Sequence, residues 1–297
     1  MTITLTRRAT LIGPASLLPF APLRAAVPPK ADALLAAKRR IAALEQQNGG
    51  RLGVVATDTE TGASITHRPD ERFPLCSTFK FLAAAAILGR VDAGTEKLDR
   101  NIAYGASDLV SYSPVTQDHA GAGLPLGEIC AAAVEWSDNT AGNLMLGTIA
   151  GPEGLTNYVR ALGDPVTRLD RTEPTLNTAI PGDQRDTTSP QAMIGNMQRI
   201  LLGEQLSAAS RRQIEAWLID DRVSAKRIRA GLPPRWRAGD KTGSGDNGTA
   251  NTIAILWPPA GAPILAAVYY TGSSASADVR NGVHAEIGRI VAATFPR

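Results

Sequence analysis

The order of elements along the chain is the strongest constraint on its fold. Near the N-terminus, "RLGVVATDTETGASITHR" (residues 51–68) reads as two short strands around a Thr-Gly turn. Toward the other end, "RAGDKTGSG", "TANTIAILWPP" and "APILAAVYYTG" read as three successive antiparallel strands joined by tight turns. Between them, from Pro74 to about Asp220, helix-like segments dominate, separated by Gly and Pro breaks. Strands at both ends with helices between predict an α/β (α+β) fold. One antiparallel sheet forms from both chain termini, flanked by helices, with an inserted all-helical lobe and an active site between them. A helix over 31–47, stopped by Asn48-Gly49-Gly50, and a closing amphipathic helix in "SADVRNGVHAEIGRIVAATF" would cover the sheet. The expected division is 26–72 with 220–297 for the sheet-and-helix lobe, and 73–219 for the helical lobe.

Residues 1–25 read as an export signal. The segment holds the basic pair Arg7-Arg8, a moderately apolar Pro-interrupted stretch, and small residues near Ala25 and Ala26, where cleavage is expected. Thr6-Arg7-Arg8 followed by Leu11 resembles a twin-arginine signal, which makes the expected location periplasmic. This segment carries three arginines and no acid. Of the 31 lysines and arginines, 28 therefore remain against 28 acids. A near-neutral mature chain gives no case for nucleic acid. No apolar stretch has the length of a membrane span, so no membrane partner is expected for the mature form.

Two cysteines, Cys76 and Cys130, are too few for a disulfide framework and read as small buried hydrophobes. The three histidines (His67, His119, His284) lie far apart, without the pairing that zinc sites use. No metal and no cofactor is expected.

The chemistry starts at "PLCSTFKFLAAAAIL" (residues 74–88). Ser77 and Lys80 fall on one face of a greasy helix, one turn apart. A lysine there is costly unless something pairs or uses it. Alone, the pair is also what a capping serine and a snorkelling lysine would look like. Three further stretches add to it. "WSDNTAGN" puts Ser137, Asp138 and Asn139 in a polar break between helices. "GDKTGSG" puts Lys241, Thr242 and Ser244 on a strand. "RLDRTEPTLN" opens a long connection carrying Glu173 and Asn177. The lysine of "GDKTGSG" precedes its glycines, so this is not a phosphate loop.

Taken together, Ser-x-x-Lys, Ser-Asp-Asn and Lys-Thr-Gly resemble the signatures of the class A serine β-lactamases. The likeness runs from "CSTFK" to the last helix. In "RTEPTLNTAIPGDQRDTT" and "DKTGSGDNGT" it is nearest the cefotaxime-hydrolysing branch. The resemblance implies a monomeric hydrolase acting on a small-molecule β-lactam. Ser77 is then the nucleophile, and its N–H and that of Ser244 hold the oxyanion. Lys80 either takes the Ser77 proton or stabilises charge. Ser137 relays a proton to the lactam nitrogen with Lys241 behind it, and Glu173 activates the deacylating water with Asn177. Asn139 meets the substrate amide, and Lys241, Thr242 and Ser244 meet its carboxylate.

The chain departs from the pattern at Ala250, where many relatives carry an arginine that reaches the carboxylate. Arg227, in "SAKRIRAGLP", is expected to substitute for it, and Tyr112 to edge the cleft. The competing readings are a penicillin-binding D-alanyl-D-alanine peptidase, which would lack the Glu173/Asn177 water site, and a β-lactam sensor acylated once. The helical-lobe disulfide of some relatives is not expected, because the partner position of Cys130 holds Ala84. Arg171 and Asp186 are expected to pair across the neck of the 171–186 loop.

Overall fold

The computed structural model describes residues 29–296. The export-signal reading and its cleavage point lie outside the described residues. In chain order the helices are α1 (Ala31–Asn48), α2 (Phe79–Asp92), α3 (Leu126–Glu135), α4 (Asn139–Thr148), α5 (Gly151–Ala161), α6 (Pro190–Met197), α7 (Ala208–Ile219) and α8 (Ala277–Thr294). The strands are β1 (Arg51–Asp58), β2 (Ser64–His67), β3 (Phe73–Pro74), β4 (Asn101–Ile102), β5 (Leu124–Pro125), β6 (Thr187–Thr188), β7 (Arg237–Gly245), β8 (Thr249–Trp257) and β9 (Ile264–Thr271).

Both ends of the chain build one antiparallel sheet, ordered β2-β1-β9-β8-β7. Strand side chains alternate between the two faces. Leu52, Val54 and Ala56 therefore pack with Ala37 and Ile41 of α1 and with Ile287 and Val291 of α8. On the other face, Val55, Ile253, Ile255, Leu265 and Tyr269 join the helical core. Because both faces are covered, β9 is buried along its whole length and shows no polar alternation.

Helix α2 runs through the centre of the helical core. Every residue from Phe79 to Leu88 is buried, as expected of a helix that is apolar all round. Its four alanines and one glycine (Ala83 to Ala86, Gly89) let α4, α5 and α7 approach closely. A 3-10 turn over Cys76–Thr78 precedes it, so Ser77 stands just ahead of the α-helix and Lys80 inside its first turn. Cys76 and Cys130 are both buried and free.

Candidate active site

The turn from Cys76 into α2 aims Ser77 and Lys80 at the same point. Lys80 Nζ donates to Ser77 Oγ at 3.0 Å, to the Ser137 carbonyl at 2.8 Å and to Asn139 Oδ1 at 2.8 Å. Glu173 Oε1 stands 3.0 Å from the same nitrogen, and both side chains are fully buried. An ammonium has three N–H groups, so four acceptors saturate it. Burial pushes the Lys80 pKa down and the Glu173 charge pulls it back up. Gly142 on α4 makes room for this lysine, since a Cβ there would lie 2.7 Å from Lys80 Cε.

Glu173 arrives on the 171–186 loop, which is tied down at several points. Its N–H donates to Asn143 Oδ1 at 2.8 Å, and Asn143 Nδ2 returns a bond to its carbonyl at 2.9 Å. Asn177 Nδ2 donates to Glu173 Oε2. Ser77 Oγ lies 3.3 Å from Glu173 Oε1. Asn177 Oδ1 is buried with no partner. At the neck, Arg171 Nε reaches Asp186 Oδ2 at 2.5 Å, while Asp186 Oδ1 accepts the N–H groups of Asp170 and Arg171 at 2.7 and 2.9 Å. The expected ion pair is present.

Strand β7 forms the opposite wall. Lys241 Nζ donates to Ser137 Oγ and to the Thr242 carbonyl, both at 3.0 Å. Burial drops the Lys241 pKa to about 7. Gly243 lets the strand pass close to Ser77, because a Cβ there would sit 3.2 Å from the Ser77 nitrogen. Asp138 fixes the turn that presents Ser137 and Asn139. Its carboxylate caps α4 through the Ala141 N–H at 2.8 Å and accepts from the N–H groups of Val115 and Thr116. Asn139 Nδ2 donates to the Ser111 carbonyl at 2.8 Å. Cys76, Tyr112 and Ser137 all hold positive φ, at 44°, 61° and 60°. Left-handed non-glycine backbone of this kind is strained and collects at functional sites.

Ser77, Tyr112, Ser137, Asn139, Asn177, Arg227, Thr242 and Ser244 line one cavity of about 380 Å³. Lys80, Glu173 and Lys241 lie buried just behind it, each bonded to a lining residue. All the residues expected from the sequence thus meet at one place, with Tyr112 at its rim, 56% exposed. Arg227 Nη2 donates to Ser244 Oγ at 2.6 Å. Larger cavities of about 660 and 600 Å³ lie elsewhere, beside α6 and against the 179–184 segment, and neither is lined by any of the residues expected at the site. Sequence reasoning missed Asn143, Gly142 and Val223, a further lining residue. Asn143 ends the quoted "WSDNTAGN", but a lone asparagine carries no signal of its own.

Residues 36–295 match the family model described as "Beta-lactamase enzyme family". Beta-lactamase AST-1 of Nocardia asteroides is 49% identical over 252 residues, covering 85% of this chain and 81% of that protein. Beta-lactamase CTX-M-8 of Citrobacter amalonaticus is 45% identical over 254 residues, covering 86% and 87%. Among solved structures, the class A beta-lactamase described as the last common ancestor of Gram-negative bacteria (GNCA4) superposes with a TM-score of 0.86. It is 56% identical and covers 88% of this chain and 99% of its own. With fold, motif order and relatives in agreement, the chain belongs to the class A serine β-lactamases, with CTX-M enzymes among its relatives.

Proposed function

We propose that the chain hydrolyses penicillins and cephalosporins through an acyl-enzyme on Ser77, giving the ring-opened β-amino acid and so antibiotic resistance. Ser77 Oγ attacks the lactam carbonyl carbon while its proton passes to Lys80 or Glu173. The oxyanion rests on the N–H groups of Ser77 and Ser244. As the C–N bond breaks, Ser137 hands its proton to the lactam nitrogen, with the Lys241 ammonium behind it. Asn139 meets the substrate's amide, and Lys241, Thr242, Ser244 and Arg227 meet its carboxylate. Glu173 then takes a proton from a water that attacks the ester.

One observation carries this reading. Glu173 Oε1 reaches both Ser77 Oγ, at 3.3 Å, and Lys80 Nζ, at 3.0 Å, while the buried Asn177 Oδ1 beside it lacks a partner. A water accepted there would be held by a base and an amide next to the acyl carbon. A penicillin-binding peptidase or a once-acylated sensor lingers in the acyl-enzyme because no base is aimed at a water there.

On this reading the mature enzyme is a periplasmic monomer of two lobes, 26–72 with 220–297 and 73–219, and needs no cofactor. Its near-neutral charge after loss of residues 1–25 supports the absence of a nucleic-acid partner. Among the described residues no helix is long and apolar enough to cross a membrane.

Glu173→Ala tests the assignment. It leaves Lys80 beside Ser77 but removes the base for deacylation, which commonly supplies about 10²–10⁴-fold. Intact-mass spectrometry with benzylpenicillin is expected to show a persistent adduct of one antibiotic per protein, absent in Ser77→Ala. Parental turnover without adduct would overturn the role of Glu173.

A further inference from the structure

The sequence holds three Asn-Gly pairs, Asn48-Gly49, Asn247-Gly248 and Asn281-Gly282. Each is the same reactive unit. The glycine nitrogen can attack the Asn side-chain Cγ, because the glycine has no Cβ to stand in the way. Two requirements separate the three pairs. The attacking N–H must be free of a hydrogen bond. The backbone must also turn that nitrogen round to Cγ, so that it eclipses Cβ, which in an L-residue means ψ of about −120°.

Asn48 and Asn281 meet neither. Asn48 ends α1, and the Gly49 N–H donates to the Glu45 carbonyl at 2.9 Å. Asn281 lies inside α8, where the next N–H belongs to the helical ladder and ψ stays at about −42°. Both side chains are held as well. Asn48 Nδ2 donates to the Leu44 carbonyl at 2.8 Å, and Asn281 Oδ1 accepts from Arg227 Nε at 3.0 Å.

Asn247 has the free N–H and a short path to the backbone angle. It is exposed, in the turn between β7 and β8. φ is 52° at Asn247 and 64° at Gly248, and the Thr249 N–H donates to the Asp246 carbonyl at 3.1 Å, which makes a type I′ turn. Among the described residues the Gly248 N–H has no acceptor. Rotating the peptide between the two central residues converts type I′ to type II′, whose first central residue has ψ of about −120°. Glycine tolerates the accompanying change of φ. The rotation breaks one bond, from the Gly272 N–H to the Asn247 carbonyl at 2.7 Å.

We propose that Asn247 is a site of spontaneous modification, deamidating to aspartate and isoaspartate, and that the change releases the 171–186 loop from the β7–β8 turn. The Gly248 nitrogen gives up its proton and bonds to Asn247 Cγ. The Cγ–Nδ2 bond breaks, and the amide nitrogen leaves with that proton as ammonia. One solvent water then opens the five-membered imide at either carbonyl, so an amide and a water become a carboxylic acid and an ammonia. The loop is released because its donor is lost. Asn247 Nδ2 donates to the Thr178 and Ala179 carbonyls at 3.0 and 3.2 Å, beside the bond from the Asp246 N–H to the Asn177 carbonyl at 2.9 Å. A carboxylate has no N–H to give and turns a negative charge on two carbonyl oxygens. The isoaspartyl product also adds a methylene to the main chain of the turn. Asn177 Nδ2 holds Glu173 Oε2, so the disturbance begins next to that pair. The modification is independent of the proposed chemistry, whereas its effect on turnover rests on the reading that Glu173 and Asn177 hold the deacylating water.

Peptide mapping by mass spectrometry, on the full-length protein aged in mildly alkaline buffer, reads the modification directly. Asn247 should convert well ahead of Asn48 and Asn281, whereas in denaturant the three should convert at similar rates. Conversion at Asn247 no faster than at the other two would overturn the site. Asn247→Asp carries one product from the start. Its kcat for benzylpenicillin should be about fivefold below the parent's, the worth of one net hydrogen bond, with acyl-enzyme building up. Asn247→Gln keeps an N–H donor and closes the larger imide ring slowly, so it should hold its activity through ageing that lowers the parent's. Parental kcat in Asn247→Asp would overturn the release of the loop. Failure of the Glu173 assignment would show separately, in Glu173→Ala, and would leave the peptide map unchanged.

Discussion

Arg227 illustrates how one residue is set by its surroundings. Its Nε donates to Asn281 Oδ1 at 3.0 Å, Nη1 to the carbonyls of Gly243 and Asn251 at 2.8 and 2.6 Å, and Nη2 to Ser244 Oγ. A guanidinium has five N–H groups, so one remains, on Nη2 beside Ser244. The β7–β8 register sets Ala250 opposite Ser244, which leaves the strand without a cation there, and Arg227 brings one from the 224–231 turn. A cleft contact between charged groups is worth about 1.5–3 kcal/mol. Arg227→Ala should therefore lower kcat/KM for benzylpenicillin roughly tenfold or more. Arg227→Lys should recover little, because an ammonium cannot span two strand carbonyls and a hydroxyl. A loss below about twofold in the alanine variant would leave the carboxylate to Lys241 and Thr242. At this scale the sequence was informative where chemistry demands a residue type, as at Ser77, Lys80 and Glu173. It was silent on Asn143 and Gly142, whose roles exist only once α4 lies against Lys80 and the loop.

Among the elements, the 171–186 loop depends most on a single junction. Asp186 is 1% exposed, holds φ at 55°, and answers two backbone N–H groups and the Arg171 guanidinium at once. Its own N–H donates to Asp170 Oδ2 at 3.0 Å, and its carbonyl accepts from Leu75 N–H at 2.8 Å, next to the turn that carries Ser77. Asp186→Ala strips Arg171 of its nearest acid, leaving it the Thr178 hydroxyl and Asp183 at 4.0 Å, and unpairs two backbone N–H groups, which costs on the order of 3 kcal/mol. The melting temperature should drop by several degrees. Glu173, loosened with the loop, should support penicillin turnover less well, with bulky cephalosporins affected less. An unchanged melting temperature with unchanged kinetics on both substrates would exclude the junction. The five sheet strands and the helices at both ends were legible because each is an apolar or periodic run bounded by turn residues, β9 as an unbroken apolar one. The two-residue pairs β3–β6 and β4–β5, and the π-helical turn over Gln198–Leu202, are too short to show one. Sheet order was also hidden: β1 lies between β2 and β9 because both partners bury its two edges, a choice made by packing rather than by local pattern.

At the scale of the whole molecule, the two ends of the chain are held to one sheet, and His284 is a buried polar link between that sheet and the closing helix α8. It sits on α8, fully buried, with Nδ1 3.0 Å from Thr252 Oγ1 of β8 and Nε2 3.1 Å from the Ala250 carbonyl. Burial, with the nearby Arg227 charge adding to it, pushes its pKa down to about 3. The unfolded chain binds a proton at this histidine below about pH 6.5, while the folded protein does so only near pH 3. Between those values the unfolded state holds more protons, so stability falls as pH drops, at up to about 1.4 kcal/mol per unit. Above about pH 6.5 neither state is charged there and the contribution is flat. Asp240 pulls the opposite way, since a folded pKa of about 6 favours the folded state as pH falls below that value. Glu45 and Glu96, both held down to about 2, lose stabilisation only at lower pH, below the ordinary carboxylate value. Over the interval from about pH 6.5 to about pH 5, a comparison of the parent with a variant at position 284 isolates the histidine, because the other titrating groups are common to both proteins. His284→Gln, which cannot titrate, should have a lower melting temperature near neutrality, because its packing is worse. Its melting temperature should nevertheless decline less than the parent's as pH is lowered through that interval. Parallel curves for the two proteins would mean that His284 is not the group that couples this sheet to acid.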